Sequence, residues 1–78
     1  MDTSKEIKQI IATTLGVSAA NVHAESKASD FSEWDSVNHL LLVMELEQKF
    51  DLKFALEEIA ELNSVDKIMK AVRKRLAQ

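Results

Sequence analysis

The sequence contains no cysteine, no proline and no tyrosine, and Gly16 is its only glycine. Without cysteine there is no disulfide framework and no thiolate-based metal site. With no proline and one glycine, a β architecture built on many tight turns is disfavoured. Aromatic residues are also few, one tryptophan and three phenylalanines. These absences favour a small helical domain.

Long apolar segments are missing as well. No run of the sequence is long enough to span a bilayer, and the first ten residues lack the apolar centre of an export signal. The 78 residues predict one domain, 1–78, with little room for a deep catalytic cleft. We therefore expect a cytoplasmic monomer without stable membrane insertion.

Charge is unevenly distributed along the chain. The net charge is −3, which argues against nucleic acid as a partner. Residues 30–61 carry nine acids against two bases, whereas residues 62–78 carry five bases against one acid. The middle of the chain is therefore acidic and its end basic. The basic end could touch membrane phosphates, but it also complements the dipole of a final helix.

The spacing of apolar residues predicts an all-α fold with four helices. The predicted elements are a helix over 3–15, a long loop over 17–35, a helix over 36–50, a short helix over 55–61 and a final helix from Val65. Gly16 is suited to the left-handed position that ends the first helix. Phe31 and Trp34 are large aromatics near the end of the loop, so we expect them to pin it to the core.

The helix over 36–50 has apolar residues on two sides. One side combines His39 with Leu42, Val43, Leu46 and Phe50, and the opposite side carries Val37, Leu40, Leu41 and Met44. We expect the first side to face the core. The second could form a docking surface, since acidic residues border it. Alternatively, the long loop or the short third helix covers it.

Ser36 follows Asp35 directly at the start of this helix. Asp-Ser before an apolar segment is typical of any helix start. A helix N-terminus also offers unpaired backbone N–H groups and the positive end of the dipole, which suit a phosphodiester. Both interpretations remain open on these two residues alone.

The segment as a whole resembles the acyl carrier proteins, or phosphopantetheine carrier domains. Their signature is Asp-Ser-Leu at the start of the second helix, and this chain has Asp35-Ser36-Val37 followed by similar apolar and acidic positions. The resemblance extends to the opening helix, the Leu-Gly-Val turn at 15–17, the long loop, the short third helix and the amphipathic final helix.

This resemblance implies an acyl-carrier-like four-helix bundle with a short third helix and a long loop between helices 1 and 2. It implies that 4′-phosphopantetheine is esterified to Ser36 and that its thiol holds acyl groups as thioesters. The protein would then be a carrier and not an enzyme. The implied partners are a phosphopantetheinyl transferase, an acyl- or aminoacyl-activating ligase, and a downstream acyltransferase or synthase.

The expected partner surface lies on and beside the second helix. It consists of Asp35, Val37, Leu40, Leu41, Met44, Glu45 and Glu47. We expect the exposed acids to steer basic partners toward Ser36. We also expect Glu47 to act in docking without a role in stability.

Two departures from the family pattern bear on the pathway. The family often has glycine two residues before the aspartate, where this chain has Glu33-Trp34, and acids where Asn38 and Leu41 stand. The Glu-Trp-Asp-Ser form resembles specialised carriers of secondary metabolism, amino-acid loading, or lipid and glycan tailoring. The alternatives are an aminoacyl carrier loaded by an amino acid ligase, and a small helical adaptor without a prosthetic group.

Other chemistry has weaker support. Ser36 and His39 are three residues apart, but a hydrolase also needs an oriented acid and an oxyanion hole. His23 and His39 lack the spacing of metal ligands, so no metal site is expected. The three glutamates of 57–61 lack the oxygen-ligand loop of a calcium site. We expect His39 to be half-buried at the border of the core.

Overall fold

Four helices make up the architecture. The computed structural model describes residues 3–77, and its helices are α1 (Thr3–Leu15), α2 (Ser36–Phe50), α3 (Leu56–Glu61) and α4 (Val65–Leu76). The all-α prediction, with a short third helix and a long loop before the second, is confirmed. The third helix begins one residue later than predicted. Among residues 3–77, no helix has both the length and the apolar character needed to cross a bilayer.

The core lies where α1, α2 and α4 meet. Its fully buried side chains are Ile7 and Ile11 of α1, Leu42 and Leu46 of α2, and Val65, Ile68 and Val72 of α4. Each such side chain contributes about 1.5–3 kcal/mol of burial free energy. Val43 is buried as well, but Phe50 is only partly buried against this cluster. The predicted core face of α2 is thus correct, although its last aromatic residue packs at the edge.

Residues with a left-handed backbone conformation follow the last residues of α1 and α2. Gly16 has φ +73°, and the Val17 N–H donates to the carbonyl of Ala12 at 3.0 Å. Asp51 ends α2 with φ 52°, and its neighbour Leu52 donates to the carbonyl of Glu47 at 3.1 Å. Both ends therefore use backbone hydrogen bonds that close the last turn of a helix.

The long loop is ordered by two 3₁₀ turns, Ala19–Asn21 and Ala28–Asp30. Its Val22 and Trp34 are buried, and Phe31 packs partly against the core, which confirms that aromatics pin the loop. The loop also pairs with the junction between α3 and α4 through an isolated antiparallel bridge. In this bridge Ala28 N–H donates to Asn63 and Val65 N–H donates to Ser26, each at 2.9 Å.

Side chains of the acidic middle segment stabilise the junction between α2 and α3. The Glu47 carboxylate accepts from the backbone N–H of Phe54 at 2.9 Å. At the start of α3, Glu58 accepts from the N–H of Ala55 at 3.0 Å and pairs with Arg75 of α4. The expectation that Glu47 has no role in stability is therefore wrong, because its carboxylate satisfies a partly buried backbone donor.

Candidate functional site

Ser36 is the first residue of α2, and its side chain is exposed. Asp35 is the N-cap: its carboxylate accepts from the backbone N–H of Asn38 at 2.9 Å. The capping role therefore falls to Asp35. Within residues 3–77, no hydrogen-bond partner occupies the Ser36 hydroxyl. This hydroxyl is thus accessible at the positive end of a 15-residue helix, as covalent attachment of a phosphate-linked group requires.

Asn38 and His39 tie the end of the loop to α2. The Asn38 side-chain amide donates to the carbonyl of Glu33 at 2.7 Å. The backbone N–H of His39 donates to the carbonyl of Asp35 at 2.8 Å. Asn38 thus positions the segment that precedes Ser36.

The Trp34 and His39 side chains form a contact that was not predicted from the sequence. The Trp34 indole donates to His39 Nδ1 at 2.9 Å, and the two rings stack with centroids 6.2 Å apart. His39 Nε2 lies 2.7 Å from the carbonyl of Ile59 in α3. His39 is half-buried, as expected. The sequence does hold a signal for this contact. Trp34 and His39 are rings with polar nitrogens, and they lie five residues apart on either side of the start of α2.

A shallow depression opens beside Ser36, between α2, α3 and the end of the loop. It is lined by Ala28, Trp34, Asp35, Ser36, His39, Leu40, Ala60 and Asn63. Four of these eight residues, Ala28, Trp34, Leu40 and Ala60, are apolar, and they give the depression a mainly apolar surface. A flexible arm attached to Ser36 would therefore start beside a mainly apolar surface.

The second apolar face of α2 is exposed. Val37, Leu40, Leu41 and Met44 retain between 46% and 67% of their accessible surface. The alternative that the loop or α3 covers this face is therefore wrong. Asp35 and Glu45 are also exposed, whereas Glu47 is half-buried and bonded to Phe54. The structure thus exposes apolar and acidic side chains along α2, beginning beside Ser36.

The alternative chemistries find no support in the geometry. His39 uses one ring nitrogen toward Trp34 and the other toward Ile59, so neither is directed to the Ser36 hydroxyl as a general base. In the described part of the chain, no three histidine or acidic side chains group as a metal site would require. Glu58, one of the three α3 glutamates, is engaged with Ala55 and Arg75.

Comparisons with known proteins identify the family of the chain. Residues 5–72 match the family described as the phosphopantetheine attachment site. The chain is 32% identical over 69 residues to the acyl carrier protein of Clostridium acetobutylicum, covering 88% of this chain and 90% of that protein. It is likewise 32% identical over 69 residues to the acyl carrier protein of Helicobacter hepaticus, covering 88% and 91%.

The fold is similar to that of a solved carrier. The solution NMR structure of the holo acyl carrier protein from Geobacter metallireducens gives a TM-score of 0.85 at 31% identity, covering 99% of this chain and 88% of that one. The sequence match and the shared fold both span most of the chain. The chain therefore belongs to the acyl carrier protein family, whose members bear phosphopantetheine and are carriers and not catalysts.

Proposed function

We propose that Ser36 is the residue that bears 4′-phosphopantetheine. The supporting observation is its exposed, unbonded hydroxyl at the N-terminus of α2, beside an apolar depression. Asp35 caps the helix, which leaves the serine oxygen unengaged. When bound, the prosthetic group supplies a terminal thiol that holds acyl groups as thioesters. The backbone N–H groups and the dipole of α2 favour the negative phosphate at this position.

The exposed face of α2 is the proposed docking surface for enzymes that act on the carrier. Its apolar centre is Val37, Leu40, Leu41 and Met44, and Asp35 and Glu45 supply exposed negative charge. Family membership implies a phosphopantetheinyl transferase and acyl-handling enzymes as partners. The proposed set is completed by an acyl- or aminoacyl-activating ligase and a downstream acyltransferase or synthase. Glu47 belongs at the edge of this docking surface, because its carboxylate already accepts a hydrogen bond from the backbone N–H of Phe54.

A specialised pathway is the proposed setting for a monomeric, cytoplasmic carrier. Leu41 is exposed where related carriers often have an acid, and Asn38 is used to hold Glu33. With acids at positions 38 and 41, this surface would carry more negative charge. Without them, it suits partners that contact α2 mainly through apolar side chains. The alternative cargo is an amino acid. A ligase that loads only aminoacyl groups would favour this second assignment.

Intact mass tests the attachment site. We expect the wild-type protein, incubated with a phosphopantetheinyl transferase and coenzyme A, to gain one pantetheine phosphate. Ser36→Ala should keep the fold and gain nothing. Ser32→Ala is a matched control, since Ser32 is exposed in the preceding loop, and it should be modified like the wild type. A Ser36→Ala protein that still gains the mass would overturn the assignment.

A further inference from the structure

One chain of hydrogen bonds joins the three segments around Ser36. Trp34 belongs to the loop, His39 to α2 and Ile59 to α3. We propose that neutral His39 is a positioning residue that holds Trp34 and α3 in place, so that modifying enzymes meet Ser36 in a fixed surface. The consequence for modification rests on the proposed function of Ser36, whereas the linkage itself does not.

The partners fix the protonation state of His39. The indole N–H of Trp34 can only donate, so His39 Nδ1 must accept at 2.9 Å. The single proton of the neutral ring is then on Nε2, which donates to the carbonyl of Ile59 at 2.7 Å. One neutral tautomer satisfies both neighbours, and it does so across a separation of 20 residues between α2 and α3.

Protonation of His39 would break one of these links. The imidazolium has a proton on each nitrogen and no acceptor, so Nδ1–H would face the indole N–H of Trp34. The linkage to Trp34 therefore exists only while the His39 ring is neutral.

Charged groups near His39 do not occupy its ring nitrogens. On the loop side, Asp35 borders the same depression, but one of its carboxylate oxygens accepts from Asn38, and Glu33 is exposed. On α3, Glu58 pairs with Arg75 of α4. Of the other two α3 acids, Glu57 is exposed, and Glu61 lines a separate depression with Lys67, Lys70 and Lys74 of α4. The two ring nitrogens thus have neutral partners.

α3 depends on such links because it is short. It has six residues, and a helix of this length is not stable without tertiary contacts. Its N-terminal side is fixed by Glu58, and Ile59 in its middle is fixed by His39. Because Trp34, Leu40 and Ala60 border the depression beside Ser36, a displaced α3 or indole would change the surface that enzymes meet.

Fluorescence of the single tryptophan measures the linkage directly. Trp34 is the only tryptophan of the chain. At pH 7.5 we expect His39→Leu, which removes both links, to shift the Trp34 emission maximum from that of the wild type. His23→Leu makes the same change at the other, exposed histidine and should leave the emission unchanged. His39→Gln should also keep the wild-type emission, because an amide can donate and accept. A wild-type emission spectrum in His39→Leu would overturn the proposal.

Modification rates measure the consequence at Ser36. At pH 7.5 we expect His39→Gln to be modified within about twofold of the wild type, since it can keep both links. His39→Leu removes both links and should lower the transferase kcat/KM by at least about fivefold, roughly the factor that a single lost hydrogen bond represents. A His39→Leu protein modified at the wild-type rate would show that His39 does not position the site.

Trp34→Phe covers the case in which His39→Leu does not fold. It keeps an aromatic ring but removes the indole N–H that donates to His39, so it should also lower the transferase kcat/KM. A Trp34→Phe protein modified at the wild-type rate would contradict the proposal. Failure of the wild type to gain any mass would instead refute the Ser36 assignment, and the fluorescence comparison would still decide whether His39 holds Trp34.

Discussion

Individual side chains at the start of α2 have separate roles. Asp35 caps the helix, Asn38 holds the carbonyl of Glu33, and His39 holds Trp34. Ser36 is left with an unengaged hydroxyl among the described residues. Farther along α2, the two faces of the helix differ in burial: Leu46 is fully buried and Met44 is mainly exposed.

The two faces of α2 should respond differently to truncation. Leu46→Ala should lower the free energy of unfolding by about 2–5 kcal/mol, because it leaves a cavity in the core. Met44→Ala should change it by about 0.5 kcal/mol or less, as is usual for surface positions. Denaturant unfolding of both variants measures the difference. Equal, large losses would contradict the assignment of Met44 to an exposed face.

At the scale of elements, the two left-handed helix ends form a natural comparison. Gly16 has no Cβ to clash in this conformation, whereas Asp51 adopts it with a side chain present. The surrounding backbone hydrogen bonds are alike, with Val17 bonded to Ala12 and Leu52 bonded to Glu47. The free-energy cost of the left-handed backbone conformation is therefore avoided at Gly16 and still present at Asp51.

Single substitutions at Gly16 and Asp51 should change the free energy of unfolding in opposite directions. Asp51→Gly should raise the free energy of unfolding by up to about 1 kcal/mol, because glycine relieves the left-handed strain. Gly16→Ala should lower it by about 1–2 kcal/mol for the same reason. Nothing lies within 4 Å of a Cβ at position 16, so a loss there would report backbone strain and not a steric clash. Thermal melts that move in the same direction for both variants would refute this account.

Elements governed by local signals were predicted from sequence, and those governed by distant contacts were not. The bounds of α1 and α2 were predicted because periodicity, the Gly16 signal and the Asp35-Ser36 start are local. The 3₁₀ turn at Ala28–Asp30 and the hydrogen bond between Glu47 and Phe54 were missed. The bond between His39 and Ile59 depends on how α3 packs, which periodicity does not specify. The exposure of the second α2 face also needed the structure, because two interpretations fitted the pattern.

The whole molecule is small and carries a charge gradient. Its extents are 33 × 28 × 20 Å, so opposite faces are separated by only a few times the screening length of about 8 Å at physiological ionic strength. Exposed acids lie on α2 and at its start, whereas α4 presents Lys67, Lys70 and Lys74. Such an arrangement favours the approach of a basic partner to the α2 side.

Transfer of the prosthetic group should therefore slow as salt rises. Exposed charges are screened over about 8 Å at physiological ionic strength, so the effect should appear mainly in association. Glu45→Lys should reduce the transferase kcat/KM and weaken its salt dependence, with a nearly unchanged melting temperature. Glu25→Lys makes the same charge change in the loop, in a depression with Ser64 and Asp66, and should have a smaller effect. A wild-type rate independent of salt would mean that docking is apolar.

The bridge between Lys27 and Ser64 makes the site segment a closed loop within the chain. Everything from Ala28 to Asn63, including α2 and α3, starts and ends at the same pair of backbone hydrogen bonds. Opening these bonds requires the loop to separate from the start of α4, whose Val65 side chain is fully buried. The amide protons of Ala28 and Val65 should therefore exchange with solvent slowly, through cooperative unfolding and not local fraying.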